Sequence, residues 1–261
     1  MKVKSITAYL ESVAPLALQE EYDNSGLIIG SGEEEVLGAL ICLDCTEAVI
    51  DEAIQKKCNL IIAHHPIIFR GLKTITGKNY VERVVLKAIR NKISIYAIHT
   101  NLDNVAQGVN KMICNKLGLT NCKFLLPSSS GKGKYGAGMV GTLPTPMTEM
   151  AFLTKLKTVM KTDVIRHTTL LNKKVSKVTV CGGSGSFLLP NAMASGAGVF
   201  VTADIKYHQF FDADNKILIA DIGHYESEVF TREIFFDFIK QNFPNFAVLL
   251  SEINTNPVTY S

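Results

Sequence analysis

The chain has 261 residues, of which 47% are hydrophobic and 20% are charged, and its formal net charge is +3. These values are typical of a globular protein with an ample core. The small charge comes without a long basic run, which disfavours proteins that coat nucleic acid or membrane surfaces.

Strand-like and helix-like segments alternate along the chain, which predicts an α/β fold with largely buried sheets. In the first half, the hydrophobic pattern predicts helices at 5–14, 46–57, 81–90 and 104–117, with a short strand ending at residue 30 and strands at 36–43, 59–63 and 93–98. In the second half, it predicts strands at 139–142, 177–181, 199–202, 217–220 and 246–250, and helices at 148–160, 187–195, 205–212 and 224–241.

Residues 126–138 have the most loop-like composition of the chain. We place a domain boundary just before them, which gives an N-terminal α/β domain at 1–125 and a C-terminal α/β domain at 126–261. The end of the second domain could pack back on the first. Open α/β sheets bind ligands at the carboxyl ends of their strands, so we expect a site at strand exits between the two domains.

Apolar runs and cysteines bear on the location of the protein. No run of about eighteen apolar residues occurs, so we expect a soluble protein without a membrane-spanning segment. The six cysteines lie mostly in apolar segments, and Cys42 and Cys45 lack the second pair that a zinc site would need. We therefore expect structural thiols, a reducing compartment and a cytoplasmic location.

Two adjacent histidines stand at the end of a predicted buried strand. His64 and His65 follow the apolar run 60–63, and Pro66 takes the chain out of the sheet. Because neighbouring residues on a strand point to opposite faces, the two imidazoles can reach two different metal ions. The position therefore predicts a pair of metal ligands.

The strand predicted at 93–98 is also followed by polar groups that can bind metal. Asp103 offers a carboxylate that could bridge two ions. The alternative is that Asp103 caps a helix starting at Asn104. His99 is expected to support the site rather than to bind metal directly, since metal ligands need hydrogen-bonded partners behind them.

The strand predicted at 217–220 leads into a third candidate group. His224 and Glu228 are four residues apart and share one face if a helix begins near His224, so both can close on one ion. The alternative is a solvent-facing helix start, where the dipole favours acidic residues, and this explains Glu226 well. Histidines at three separate strand exits favour the metal site.

Two other histidines have less informative surroundings. His208 follows the strand predicted at 199–202 and is a candidate proton donor or acceptor. The alternative is a histidine whose hydrogen bonds are satisfied within the fold. His167 has no comparable context and is expected at the surface.

Residues 181–186, Cys-Gly-Gly-Ser-Gly-Ser, form a glycine-rich turn after a predicted strand. The backbone N–H groups of such a turn could meet an anion before a helix. A tight strand-to-helix turn explains the glycines equally well, since the Gly-Lys-Ser/Thr ending of a P-loop is missing. The turn also lacks the Gly-x-Ser-x-Gly pattern of a serine nucleophile.

Taken together, these motifs resemble those of the Ngg1-interacting-factor-3-like proteins, also known as GTP cyclohydrolase I type 2 homologues. The resemblance covers essentially the whole chain and is carried by residues 22–27 (Tyr-Asp-Asn-Ser-Gly-Leu), 63–66 (Ala-His-His-Pro), 99–103 (His-Thr-Asn-Leu-Asp), 181–186, 202–208 and 223–228 (Gly-His-Tyr-Glu-Ser-Glu). It implies a dinuclear centre whose ligands are His64, His65, Asp103, His224 and Glu228. It also implies two α/β domains per subunit and a ring-shaped homohexamer. Some relatives carry an inserted domain, which we expect this chain to lack.

The resemblance therefore implies two divalent metal ions. Their identity stays open, because imidazole and carboxylate ligands without thiolate suit zinc, iron, manganese, nickel or copper. A pair of such ions is typical of hydrolases. By resemblance, the small-molecule substrate is GTP, opened at C8 of guanine with loss of formate, and His99 or His208 would move protons. Two alternatives stay open: a non-catalytic metal carrier or regulatory scaffold, and a hydrolase of another nucleotide or phosphoester.

Overall fold

The computed structural model describes residues 1–129 and 133–261, which form two compact units. Unit 1 contains Met1–Leu102 and Thr231–Pro257, and unit 2 contains Asp103–Phe230 and Val258–Ser261. The strands are β1 (Gly26–Ile29), β2 (Ala39–Cys42), β3 (Leu60–Ala63), β4 (Ser94–Ala97), β5 (Thr120–Pro127), β6 (Gly136–Thr148), β7 (Arg166–His167), β8 (Lys174–Ser184), β9 (Val199–Ala203), β10 (Leu218–Asp221) and β11 (Val248–Leu250). The α-helices are α1 (Val3–Val13), α2 (Glu47–Gln55), α3 (Tyr80–Arg90), α4 (Thr100–Asp103), α5 (Val109–Leu117), α6 (Glu149–Met160), α7 (Leu189–Ala194), α8 (His224–Glu228) and α9 (Thr231–Asn242). Short 3₁₀ helices lie at Leu16–Leu18, Ser186–Leu188 and Tyr207–Ala213.

Unit 1 is built around a five-stranded sheet in the order β1-β4-β3-β2-β11. Strand β1 runs antiparallel to β4, and the other neighbours are parallel. The register pairs Cys42 with Ala63 and Ala63 with Ala97, so the chain leaves these three strands side by side. Each residue of β2, β3 and β4 is buried, as expected for the continuous apolar runs of parallel strands.

Helices α2 and α3 of unit 1 are each preceded by a residue whose side chain caps the helix. The side chain of Thr46 accepts a hydrogen bond from the N–H of Val49, and the side chain of Asn79 accepts one from the N–H of Glu82. Apolar residues of both helices pack into one core with β2 and β3. Cys42 and Cys45 lie in this core as buried free thiols, where they act as small apolar side chains.

Unit 2 contains a six-stranded sheet in the order β5-β6-β8-β9-β10-β7. Strands β8, β9 and β10 are parallel, and the remaining pairs are antiparallel. The register pairs Ala203 with Ser184 and Thr202 with Asp221. The end of the glycine-rich segment 181–186, Asp204 and the start of α8 therefore lie at the same edge of this sheet.

The predicted α/β class is confirmed, whereas the helix predicted at 104–117 is shorter than expected and the helix predicted at 224–241 is divided. The helix predicted at 104–117 begins only at Val109, because Val105 pairs with Tyr135 in an isolated β-bridge. Asp103 instead ends the separate helix α4, so the alternative that it caps a helix starting at Asn104 is wrong.

The helix predicted at 224–241 is also two helices, α8 and α9. The chain passes from unit 2 to unit 1 between them, at Phe230 and Thr231. The prediction of His224 at a helix start is nevertheless confirmed, since α8 begins at this residue.

Strand β5 has no counterpart among the predicted elements, because it is largely exposed and its only apolar run, at 124–126, is short. It pairs with β6 as a hairpin, so most of the predicted loop at 126–138 is strand or turn, and residues 130–132 lie outside the described part of the chain. The hairpin belongs to unit 2, and β11 belongs to unit 1 through its pairing with β2. The compact units therefore differ from the predicted domains 1–125 and 126–261.

Candidate metal centre

Three histidines of unit 1 come together where β3 and β4 end. His64, His65 and His99 each place a ring nitrogen within 4.8 Å of the others, and we call them the histidine cluster. Their ring centroids are 5.0 to 5.4 Å apart. His64 is fully buried, whereas the side chains of His65 and His99 are 22% and 15% exposed. The cluster therefore opens to solvent on the side of His65 and His99.

Each ring of the histidine cluster is held through its Nδ1 atom. Nδ1 of His64 lies 2.8 Å from the carbonyl oxygen of Ile98, and Nδ1 of His65 lies 2.7 Å from Oδ1 of Asp44. An imidazole that donates from Nδ1 carries its lone pair on Nε2 in the neutral form. These contacts set the tautomer that a metal-binding histidine needs.

The third ring, His99, is held by a carboxylate from another loop. Nδ1 of His99 lies 2.7 Å from Oδ1 of Asp23, and Oδ2 of Asp23 accepts hydrogen bonds from the N–H and hydroxyl groups of Thr100. Burial disfavours the charged carboxylate, but the bonds from His99 and Thr100 outweigh it and hold the pKa of Asp23 well below its usual value. Asp23 is therefore an ionised partner behind His99.

Asp44 fills the corresponding role behind His65. Its second carboxylate oxygen accepts a hydrogen bond from the hydroxyl of Thr255, at 2.7 Å. Burial again opposes ionisation, and the bonds from His65 and Thr255 still lower the pKa of Asp44. Thr255 thus fixes the carboxylate that orients His65 in the histidine cluster.

Unit 2 places His224 between two carboxylates. Nδ1 of His224 lies 2.7 Å from Oδ2 of Asp204, and Nε2 lies 2.9 Å from Oε2 of Glu228, one turn later on α8. Burial lowers the proton affinity of this ring, but Glu228 and Asp204 outweigh burial and raise the pKa of His224 to about 11. A divalent cation that bound at Nε2 would have to displace this proton.

The glycine-rich segment 181–186 packs against Glu228. A Cβ atom on Gly183, which has φ +63°, would clash with Oε1 of Glu228. The N–H groups of Gly182 and Gly183 donate to the side chains of Asn110 and Ser227. These two groups are thus engaged within the protein. Residues 181–184 continue β8, so the predicted turn is limited to Gly185 before the 3₁₀ helix that begins at Ser186, and the anion-binding interpretation stays a prediction.

Asp103 lies in the same region of unit 2 as Glu228. Its backbone carbonyl accepts a hydrogen bond from the side-chain amide of Asn110, whose carbonyl oxygen accepts from the N–H of Gly182. Burial raises the pKa of the Cys181 thiol, and the charges of Asp103 and Glu228 raise it further. Both carboxylates therefore act on one buried side chain, which places them in one electrostatic environment.

The two remaining histidines are exposed. His208 lies on the 3₁₀ helix Tyr207–Ala213, where its ring contacts Tyr207 at 5.2 Å and stacks on Phe211 at 6.5 Å between centroids. Its part in proton transfer stays a prediction. His167 lies in the short strand β7 and is exposed, as expected.

Sequence reasoning missed the three carboxylates behind the histidines, namely Asp23, Asp44 and Asp204. The signal was present for two of them, since Asp44 follows β2 by two residues and Asp204 directly follows β9. Both carboxylates therefore stand at strand exits, the same position that predicts the histidines. Asp23 lies just before β1, and nothing in its local sequence points to His99.

Histidine and carboxylate groups in this structure could hold a metal ion. Within the ranges 1–129 and 133–261, no helix is both long and apolar enough to cross a membrane. Two sheets flanked by helices, with these groups at their strand exits, define an α/β protein with a candidate metal site.

Comparison with known proteins identifies the family. The family model described as Duf34/NIF3 (NGG1p interacting factor 3) matches residues 1–257, and the chain belongs to this family. A relative from Clostridium acetobutylicum named "GTP cyclohydrolase 1 type 2 homolog" is 35% identical over 229 residues, which cover 87% of this chain and 85% of the relative.

Longer relatives and solved structures agree with this assignment. A relative of the same name from Staphylococcus epidermidis is 27% identical over 366 aligned positions that cover all of both chains, so it has residues that this shorter chain lacks. The crystal structure of Staphylococcus aureus protein SA1388 covers 100% of this chain and 99% of its own, with TM-score 0.92 and 29% identity. A Bacillus cereus protein related to NIF3 has the same coverage, with TM-score 0.91 and 26% identity.

Proposed function

We propose that this chain holds two divalent metal ions with five side chains and uses them in a hydrolytic reaction. The five are His64, His65, Asp103, His224 and Glu228. The observation that carries the proposal is the histidine cluster, in which each imidazole already engages its Nδ1 with a carbonyl or carboxylate oxygen. Metal-binding histidines are typically held in this way, because the partner fixes both the ring and its tautomer.

The donor set suits borderline divalent cations. Imidazole and carboxylate ligands without thiolate are suitable for zinc, iron, manganese or nickel. Asp103 and Glu228 are the members that can bridge two ions, because a carboxylate offers two oxygen atoms. Two divalent ions held by this set would lower the pKa of a water molecule and polarise the substrate.

We assign His99 to proton transfer rather than to metal binding. Its Nδ1 donates to Asp23, whose pKa is low enough to keep the carboxylate ionised. This bond orients the ring and fixes its tautomer, which leaves Nε2 as the ring atom that would accept a proton. His208 is the second candidate for proton transfer, and its exposure gives it direct exchange with water.

The proposed substrate is GTP, with opening of the guanine imidazole ring at C8 and release of formate. The support is the name "GTP cyclohydrolase 1 type 2 homolog" of the Clostridium and Staphylococcus relatives. From the family resemblance we also propose a cytoplasmic homohexamer.

The alternative is a metal carrier or regulatory scaffold without catalysis. The family description, NGG1p interacting factor 3, names an interaction rather than a reaction and favours this possibility. Formate release from GTP separates the two functions, because a carrier or scaffold would not produce it.

The test is formate production by protein loaded separately with zinc, iron(II), manganese or nickel. We expect one formate per GTP consumed in at least one sample, no formate from His64→Ala, and retention of activity in His167→Ala, which alters an exposed histidine of β7. Formate from none of the four samples contradicts the GTP assignment. Turnover of another nucleotide or of a phosphoester in those samples would retain the hydrolase and change its substrate.

A further inference from the structure

We infer that Tyr22 and Phe69 form a platform on which the planar ring of a nucleotide stacks, while Arg70 and Lys73 bind its phosphates. The inference rests on the proposed function, because it concerns the substrate of the same site. The four residues would give the site its preference for a substrate that is both aromatic and negatively charged.

Two exposed aromatic rings lie next to the histidine cluster. The ring of Phe69 lies edge-on to the ring of His99, with 6.2 Å between centroids. The ring of Tyr22 lies 6.1 Å from that of Phe69. Tyr22 is 65% exposed and Phe69 is 44% exposed. Exposed aromatic faces beside polar groups are the usual platform for a base, since every base has a π-face.

The two rings belong to loops that are bonded to each other and to the histidine cluster. The side-chain amide of Asn24 donates to the carbonyl oxygen of Ile68 at 2.6 Å, which joins the residues after Tyr22 and before Phe69. Asp23, between Tyr22 and Asn24, is the carboxylate that holds His99. The position of the platform is therefore set by the same contacts that orient His99.

The segment that follows the paired histidines is basic. Residues 66–79 contain Arg70, Lys73 and Lys78 and no acidic residue, and all three cations are exposed. Guanidinium and ammonium groups bind phosphate through charge-assisted hydrogen bonds. A ligand with a flat ring and several negative charges fits an aromatic pair followed by these cations better than a neutral or positively charged ligand does.

The far end of this segment is also anchored. The carboxylate of Glu82 accepts hydrogen bonds from the N–H groups of Thr76 and Lys78, at 2.8 and 3.1 Å. The near end is held by Asn24, as described above. Residues 69–73 thus lie between two fixed points, which limits the conformational entropy that substrate binding would cost.

The test is calorimetric titration of the zinc-loaded protein with GTP and, separately, with guanosine. We expect Phe69→Ala to weaken binding of both ligands by about 5- to 100-fold, the range for loss of one stacked base. Phe69→Tyr keeps the ring and should bind both ligands normally. Arg70→Gln should weaken binding of GTP and leave guanosine unchanged.

Tyr80→Ala is the matched control, because Tyr80 is another exposed aromatic residue of unit 1, at 62% exposure. It should leave both affinities unchanged, and all variants should keep the zinc content of the wild type. Failure of GTP to bind the wild type, or equal affinities in the wild type and Phe69→Ala, overturns the inference. A change of oligomeric state in Phe69→Ala with unchanged GTP affinity also overturns it, since a second copy of the chain would then cover the rings.

The inference and the proposed function fail in different ways. If GTP binds the wild type more tightly than Phe69→Ala but no formate is released, the platform is supported and the cyclohydrolase reaction is excluded. If formate is released with the same KM in Phe69→Ala and in the wild type, the reaction is supported and the platform is excluded.

Discussion

Nδ1 of His224 lies 2.7 Å from Oδ2 of Asp204, and Nε2 of the same ring lies 2.9 Å from Oε2 of Glu228. The same relationship, with Nδ1 on a carboxylate at 2.7 Å, joins His65 to Asp44 and His99 to Asp23. In each pair the carboxylate comes from a different loop than the histidine. The orientation of these imidazoles therefore depends on the fold rather than on their own segments.

Removing the carboxylate behind His224 should weaken metal binding without removing a ligand. We expect Asp204→Asn to lower metal affinity by about 10- to 100-fold, because loss of the partner frees the ring and lowers its basicity. Competition with a chromophoric chelator measures this change. The control is Asp214→Asn, which alters an exposed aspartate paired with Lys216. Equal losses in both variants would contradict an orienting role for Asp204.

Asp23 should matter for turnover more than for metal content. In Asp23→Asn the partner of His99 loses its charge, so we expect kcat for formate release to fall by about 10- to 100-fold. Metal per chain should stay at the wild-type value in the same preparation. Glu21→Gln changes a nearby exposed acid and should have little effect. Loss of metal in Asp23→Asn would assign His99 to the ligand set instead.

A side chain at position 183 should lower the free energy of unfolding. Gly183→Ala places a Cβ atom against Oε1 of Glu228 at a backbone φ of +63°. We expect a loss of about 1 kcal/mol or more in the free energy of unfolding, together with weaker metal binding. Gly198→Ala is the matched control, since its Cβ atom would meet neighbours only at 3.8 Å and beyond. Urea unfolding of both variants, with and without zinc, measures the difference.

The ionised side chain of Glu82 should make the stability of the folded protein depend on pH in the acidic range. Hydrogen bonds from the N–H groups of Thr76 and Lys78 lower the pKa of Glu82 from its usual 4.5 to about 2. Because the pKa is lower in the folded chain, the stabilisation is fully present above about pH 4.5 and is lost as the pH falls toward 2. Glu82→Gln should lower the urea midpoint at pH 7 and have a smaller effect at pH 3, whereas Glu35→Gln, an exposed control, should have no effect at either pH.

Much of the fold follows from local sequence. The apolar runs that become β3 and β4 predict buried parallel strands, and their register brings His64 and His99 to one edge of the sheet. The spacing of His224 and Glu228 likewise predicts a shared helix face, which α8 provides. These predictions succeed because periodicity and strand exits are local properties.

Other features depend on contacts that local sequence does not contain. His99 and Asp23 are separated by 76 positions, so their bond is invisible without the fold. The helix predicted from residue 104 starts only at Val109, because Val105 pairs with Tyr135, the residue just before β6. Strand β5 carries only a short apolar run, at 124–126, and its pairing with β6 is what makes it a strand. In each case a tertiary contact overrides the local pattern.

The most direct test of this account is metal content per chain, measured by plasma mass spectrometry on protein purified without chelators. The wild type should contain about two ions, as a two-metal site requires. Glu228→Gln should lose most of this metal while keeping its circular dichroism spectrum, and Glu226→Gln, on the same short helix, should keep the wild-type content. A wild type that holds no metal, and takes up none from zinc, iron or manganese, would contradict the account.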